Sequence, residues 1–491
     1  MSQEHRPFTI AIAGAGIAGL ALAIALKDLP GVRVDIYERA AQLREIGASI
    51  ALSPNGMRTL DRLGVHNALV DTADDPENGV SFRNASGLPM VYRHYLTGEV
   101  VSSDPSQSER GLDRRHWTAR FYRAHLQESL AAHVDPRSVH LSKTFAGVVW
   151  DAVARHLLLS FADGTTATAD LLVGADGLHS RVRTFFVPTS RPSWTGALAL
   201  RSVFSRSHVA HIKDLPHEAT HVWGPEHTLF FSPLGRDLYT VVGQLQLDPD
   251  EDPDDSLDNG SYPRLTSSRT DVDIRNTAAA WASQGNVETL RRLYSTWGPL
   301  FQDLLAAVPH TQLYPNSSTD SLPTWLLSTA TVPPGRVTLI GDAAHAHGGA
   351  FATGGSLALD DAWALAAALR EVVPALSETS ASGNVAPKAL DTDLVQALQL
   401  YEATRKAHTD RLLQLVHAAN TARVARLRDS KRAAAGPETD EQLLKRIRGR
   451  ADVTWLYEHD VTAAFSDALQ ELRKSHKQAE RTQHPITQSR I

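Results

Sequence analysis

Gly14, Gly16 and Gly19 fall at GxGxxG spacing, directly after the apolar run FTIAIA and at the head of an Ala- and Leu-rich segment stopped by Pro30-Gly31. Glycines at the first two positions let a chain turn sharply and bring backbone N–H groups against a pyrophosphate. The third lets the following helix pack close to the strand. Val32 to Glu38 (VRVDIYE) alternates apolar and polar residues and reads as a second strand. The spacing therefore predicts a βαβ unit with phosphate oxygens at a helix N-terminus and Glu38 accepting hydrogen bonds from ribose hydroxyls. A glycine-rich packing turn is the plain alternative, and this unit alone does not separate NAD from FAD. A second candidate is Asp342 in VTLIGDAAHAHGG, after a buried strand and ahead of a long helix from Ser356 to Val373. Its carboxylate can meet a sugar hydroxyl at the sheet's carboxyl edge, or simply cap the next turn.

Composition limits what these residues can be serving. The chain has 491 residues, 42% hydrophobic and 21% charged, enough for a large core. Lys plus Arg number 49 against 55 Asp plus Glu, a net charge of -6, so there is no broad cationic field for nucleic acid. With no cysteine, thiolate nucleophiles, disulfides and Cys-ligated clusters are excluded. Redox chemistry must come from a bound organic cofactor or a His/carboxylate metal. His345 and His347 near Asp342 admit a metal reading, but alternation in a glycine loop points the rings apart, and no metal is expected. No signal peptide or membrane span is legible, so the expectation is a cytoplasmic protein that binds neither membrane nor nucleic acid.

The elements that must position these residues follow from pattern. Helix is expected over Thr118 to Ala132, and a β-meander over Val139 to Val173 with a hairpin at Asp163-Gly164. Between Ala197 and Leu247 the runs ALALRSVF, THVWG, TLFFSP and LYTVVGQLQL predict a mostly antiparallel sheet. Asp248 to Asp273 is acidic and rich in Pro and Ser, which reads as a surface insertion. A linker is expected at Ser377 to Lys388, with helix beyond it.

Two further segments, LVGADGLHSRVRTFF from Leu172 and VTLIGDAAHAHGGAFATGGSLALDDAWAL from Val337, join the N-terminal fingerprint. In this order the three resemble the landmarks of the group A FAD-dependent aromatic hydroxylases, the para-hydroxybenzoate and salicylate hydroxylase family. The resemblance implies FAD as cofactor and NADH or NADPH as co-substrate. It also implies a flavin C4a-hydroperoxide whose distal oxygen passes to a phenolic or related aromatic small molecule, with O2 as oxidant. The cofactor set it implies comprises Gly14, Gly16, Gly19, Glu38, Arg39, Ala48, Ser49, Ala51, Arg123, Asp176, Asp342, Gly354 and Gly355. Arg44 is a weaker member. Asp176-Gly177 is given a dual role toward flavin and nicotinamide. A helix starting near Ser356 would aim its positive end at the flavin and favour the anionic reduced form.

Arg201 matches an arginine that such hydroxylases place beside the substrate, where a lone cation stabilises a phenolate. Where relatives hold a tyrosine before proline this chain has Ser232, and Tyr239 is the substitute catalytic candidate. His221, Trp223 and His227 are further candidates for the pocket lining. Gly349 stands where the family's loop usually has proline. The expected fold is α/β: a Rossmann-like FAD-binding domain (1–78, 114–190, 331–376), an inserted mainly antiparallel substrate domain (79–113, 191–330), and a helical C-terminal region (389–491). A monomer or homodimer is expected. The alternatives are a related epoxidase and a flavin-dependent oxidoreductase without oxygen insertion.

Overall fold

A computed structural model describes residues 6–43, 48–69, 83–107, 109–250, 283–382, 387–431 and 438–483. Arg44 and most of the acidic insertion, residues 251–273, lie outside them.

Phe8–Ala13 is the middle strand of a five-stranded parallel sheet, ordered Val337–Leu339, Leu171–Gly174, Phe8–Ala13, Val32–Tyr37, Val139–His140. Its run of apolar residues is what a strand covered on both faces requires. The helix Ile17–Leu26 is buried all round. It packs between this sheet and the helix Gly354–Ser382. A helix apolar on every side has no solvent face to present. The N-terminal turns of both helices thereby reach the carboxyl edge of one sheet.

The second sheet has eight strands and is antiparallel except where Thr220–Trp223 lies parallel to Val91–His94. Ser193–Ser205, Thr220–Trp223, Thr228–Pro233 and Leu238–Gln246 coincide with the four runs expected from alternation. A small three-stranded sheet pairs Ser49–Leu52 with Ala119–Tyr122 and the latter with Arg83–Asn84.

Three expectations are corrected. The segment Thr118 to Ala132 is not all helix: Ala119–Tyr122 is a strand, and helix begins at Arg123. Val139 to Val173 is not one meander. Only Phe145–Asp151, His156–Phe161 and Thr166–Ala169 form an antiparallel sheet, with the hairpin at Asp163-Gly164 as expected. The flanking strands leave it for the parallel sheet, where apolar Leu171–Gly174 is buried on both sides. Finally, helix continues through the proposed linker to Ser382 and resumes at Pro387, because Ser and Ala there carry no breaker before the segment SGNVAP.

Candidate active site

Three glycine-bearing turns meet at one cavity of about 2100 Å3. Single-ligand pockets commonly span about 300–1,000 Å3, so this one has room for a large cofactor together with a second molecule.

The first turn is built as its spacing requires. Gly14 sits at φ +107°, and a Cβ there would lie 2.5 Å from the carbonyl oxygen of Ala175. A Cβ on Gly19 would run into the carbonyl of Gly14, so Gly19 acts by packing and is absent from the cavity wall. Gly16, the residue preceding the helix, has no atom within 4 Å of the same position, leaving its backbone open to the cavity. Glu38 lines the cavity while its Oε2 accepts from Ala15 N at 2.8 Å and its Oε1 from Ala40 N at 2.8 Å. Gln127 donates to Ala15 O at 3.0 Å and pins the turn from the helix Arg123–Ala131. Arg39, Ala48, Ser49, Ala51 and Arg123 also line the cavity.

The second turn carries Asp176, whose carboxylate accepts from Ser180 Oγ at 2.5 Å and from the amides of Arg181 and Val182 at 2.7 and 3.2 Å. Burial pushes its pKa up against the pull of these hydrogen bonds. Arg183, fully buried, reaches from here to the third turn, donating to Asp342 O at 3.2 Å and Ala343 O at 2.9 Å.

The third turn holds Asp342 open to the cavity, and no described residue donates a hydrogen bond to its carboxylate. Behind it, Asp361 accepts from Gly341 N at 2.9 Å, His345 Nε2 at 2.6 Å and Arg405 Nε at 2.8 Å, all nearly inaccessible to solvent. Burial would raise the Asp361 pKa, but His345 and Arg405 outweigh it and hold the carboxyl below its ordinary range. His345 is thus committed to Asp361. His347, whose pKa burial pushes down, packs its Nε2 3.4 Å from the position of a Cβ on Gly354. Among the described residues no group of three or more His, Asp or Glu is placed to hold a metal. Phe351 and Ala352 are held at φ 55° and 53°, a left-handed conformation that costs an L-residue about 1–3 kcal/mol. The helix starts at Gly354, two residues before the expected Ser356, and Gly354 and Gly355 both line the cavity. A Cβ on Gly355 would also meet Ile50 and Leu52 at 2.8 Å.

On the sheet side, Arg201 lines the cavity with its Cζ 5.3 Å from the Tyr314 ring centroid, and a Cβ on Gly349 would sit 3.5 Å from its Nη2. No described carboxylate pairs with it. Burial lowers its pKa, Tyr314 opposes and Arg123 reinforces that shift, and the guanidinium stays charged at neutral pH. Tyr239 is corrected: it lies on the other face of its strand, 2% exposed, packed against Phe204 and Phe231. Side chains alternate along a strand, so Thr240 and Val242 face the cavity while Tyr239 faces the core. Its burial pushes the hydroxyl pKa well up. His221, Trp223 and His227 do line the cavity. Tyr314, Gln127, Asp361 and Arg405 were not singled out from sequence, and Arg183 was placed only in the segment that opens after Asp176-Gly177. The Asp361 pair with His345 had a faint signal, since ALDDAW places an aspartate about two turns into the helix that follows the loop.

These turns define a dinucleotide-binding protein of the doubly wound class, with the ligand at the carboxyl edge of its parallel sheet. The family described as FAD binding domain matches residues 8–287 and 295–382, and the chain belongs to that family. It is an FAD-dependent oxidoreductase. Among named relatives, it is 29% identical over 378 residues to 6-hydroxynicotinate 3-monooxygenase of Pseudomonas fluorescens, covering 76% of this chain and 84% of that enzyme. It is 26% identical over 498 residues to salicylate hydroxylase of Pseudomonas putida, covering 97% and 98%. A solved salicylate hydroxylase substrate complex shares the fold with a TM-score of 0.66 at 21% identity, covering 94% of this chain and 98% of that one.

The residues present fit FAD: an open glycine turn at a helix N-terminus for the diphosphate, an unsatisfied carboxylate at Asp342, and a second helix N-terminus at Gly354. Gly14→Ala is expected to weaken FAD binding by about tenfold or more through strain and the Ala175 contact. Flavin retained through gel filtration measures it.

Proposed function

We propose that this protein is an NAD(P)H-dependent FAD monooxygenase that uses O2 to hydroxylate a small phenolic aromatic. The observation that carries the reading is Arg201, a half-buried cation without a described carboxylate partner, facing the same cavity as Asp342 and Gly354. When bound, FAD accepts electrons from a reduced nicotinamide and activates dioxygen.

The chain's own residues do the rest. The backbone at Gly14 to Ile17 holds the diphosphate, with Glu38 bracing the turn through Ala15. Asp342 accepts from a sugar-chain hydroxyl, and Asp176 with Arg183 keeps the two loops around it in register. The N-terminus of helix Gly354–Ser382 offers unpaired N–H groups to negative charge on the ring. Arg201 lowers the pKa of a phenol beside it, so the ring is presented as an electron-rich phenolate. The apolar walls at Val242 and Phe230 exclude water from that ring.

The names of the relatives support aromatic hydroxylation over epoxidation or simple oxidation. The division into FAD-binding, substrate and C-terminal helical segments at the boundaries given above belongs to this reading, as do a cytoplasmic setting and a monomer or homodimer. No helix among the described residues is long and apolar enough to cross a membrane. The test is purification, a visible spectrum, and NAD(P)H oxidation screened over a phenol panel with product mass. Yellow protein whose NAD(P)H consumption is stimulated by a phenol that gains one oxygen is the expected result. NAD(P)H consumed without an oxygenated product overturns it.

A further inference from the structure

Arg201, Val242, Phe230 and His221 stand directly opposite one another on four adjacent strands, so they form a single row across one face of the large sheet. All four line the cavity. Three strand spacings of about 4.8 Å place the two ends of the row about 14 Å apart, farther than one benzene ring extends. The middle of the row is apolar and aromatic. At its far end, His221 is packed with Trp223, their ring centroids 5.6 Å apart.

A second cationic group stands there. Arg423 and Arg426, on the helix Pro387–Lys431, are accessible along the cavity wall. Arg446 is different: it is held by Glu438 at 2.7 and 2.8 Å and lies 5.2 Å from the Trp223 ring centroid. Arg423 has only Asn420 Oδ1 at 3.3 Å, and no described carboxylate pairs with it. Its charged neighbours are Arg426 and Arg446. Glu438 is committed to Arg446, so Arg423 and Arg426 present positive charge to the cavity, and such charge raises the local concentration of anions and favours an anionic guest.

We propose that Arg423, with Arg426 beside it, binds a carboxylate at the far end of the substrate. The substrate is then an elongated aromatic acid, its phenol at Arg201 and its acidic group beyond the His221 end of the row. The assignment rests on the hydroxylase reading above, which makes the space over this row the substrate's.

The probe is a hydroxybiphenyl carboxylate with phenol and carboxylate at opposite ends, compared with its primary carboxamide. Binding to the FAD-loaded protein is read from the flavin absorbance, without NAD(P)H and without turnover. Arg423→Gln is expected to weaken the carboxylate probe about tenfold and the carboxamide less than about twofold, with Arg423→Lys recovering part of the loss. Unchanged flavin content shows that the variants fold. Equal weakening of both probes, or of neither, overturns the proposal. So does a loss confined to NADP+, which would give these arginines to the dinucleotide's phosphates. Because binding needs no reaction, a probe that binds as expected yet never gains oxygen counts against the hydroxylase reading alone.

Discussion

Arg201→Ala is expected to lower kcat/KM for a phenolic substrate by about 100- to 1,000-fold while leaving bound FAD in place. A fixed cation aimed at developing or stored negative charge in a dry site is commonly worth that much. Arg201 contributes through charge at the ring: it lies beside the Gly349 loop, it stacks on Tyr314, and no described acid neutralises it. The loss should shrink at high pH, where the phenol ionises without help, and Arg201→Lys should retain part of the rate. Tyr239→Phe is the contrast, since that hydroxyl lies in the core behind the sheet with no hydrogen-bond partner among the described residues. It should keep near-normal turnover. Steady-state kinetics over pH checks both, and an Arg201→Ala enzyme with nearly intact turnover would remove the cation from the mechanism.

Asp361→Asn is expected to destabilise the fold by about 3–5 kcal/mol, because it leaves Arg405 charged, buried and without its carboxylate. The same change loosens the acceptor for Gly341 N and His345, the two groups that set the turn presenting Asp342. Flavin affinity should therefore fall along with stability. The folded pKa of Asp361 lies below its unfolded value of about 3.9. Its contribution is present above that pH and is lost as pH falls toward the folded value. Urea unfolding at pH 7 and at pH 3, below the unfolded value, measures the loss, and the variant should lack this part of the acid sensitivity. Unfolding curves that coincide with the unaltered protein at pH 7 would mean the cluster is not holding the third turn.

The cofactor turns were legible because each is local. Gly14, Gly16 and Gly19 declare a strand-to-helix turn within a few residues, and Asp342 follows its own strand directly. The large sheet was legible for the same reason, through alternation. What escaped were side chains whose partners are distant along the chain. Arg183 meets the carbonyl of Asp342 across 159 positions, and Gln127 meets Ala15 across 112. Nothing near Gln127 marks it as more than a helix polar group, and the landmark segment that carries Arg183 does not name the carbonyls it meets. Tyr239 was misplaced because LYTVVGQLQ carries apolar residues on both faces, so alternation gives a strand without saying which face meets the cavity. Arg423 was read only as part of a mixed-charge helix, and what sets it apart is the aromatic strand opposite it.

The helix Pro387–Lys431 runs for 45 residues, about 68 Å at the usual rise. In its first half Arg405 anchors the aspartate cluster behind the cofactor turn, farther on Arg423 lines the cavity, and Arg428 grips Asp248 and Asp250. Chemistry and admission are thus written on separate halves of one rigid beam. Selection can rewrite the distal half, changing which molecules are let in, without touching the half on which the catalyst depends.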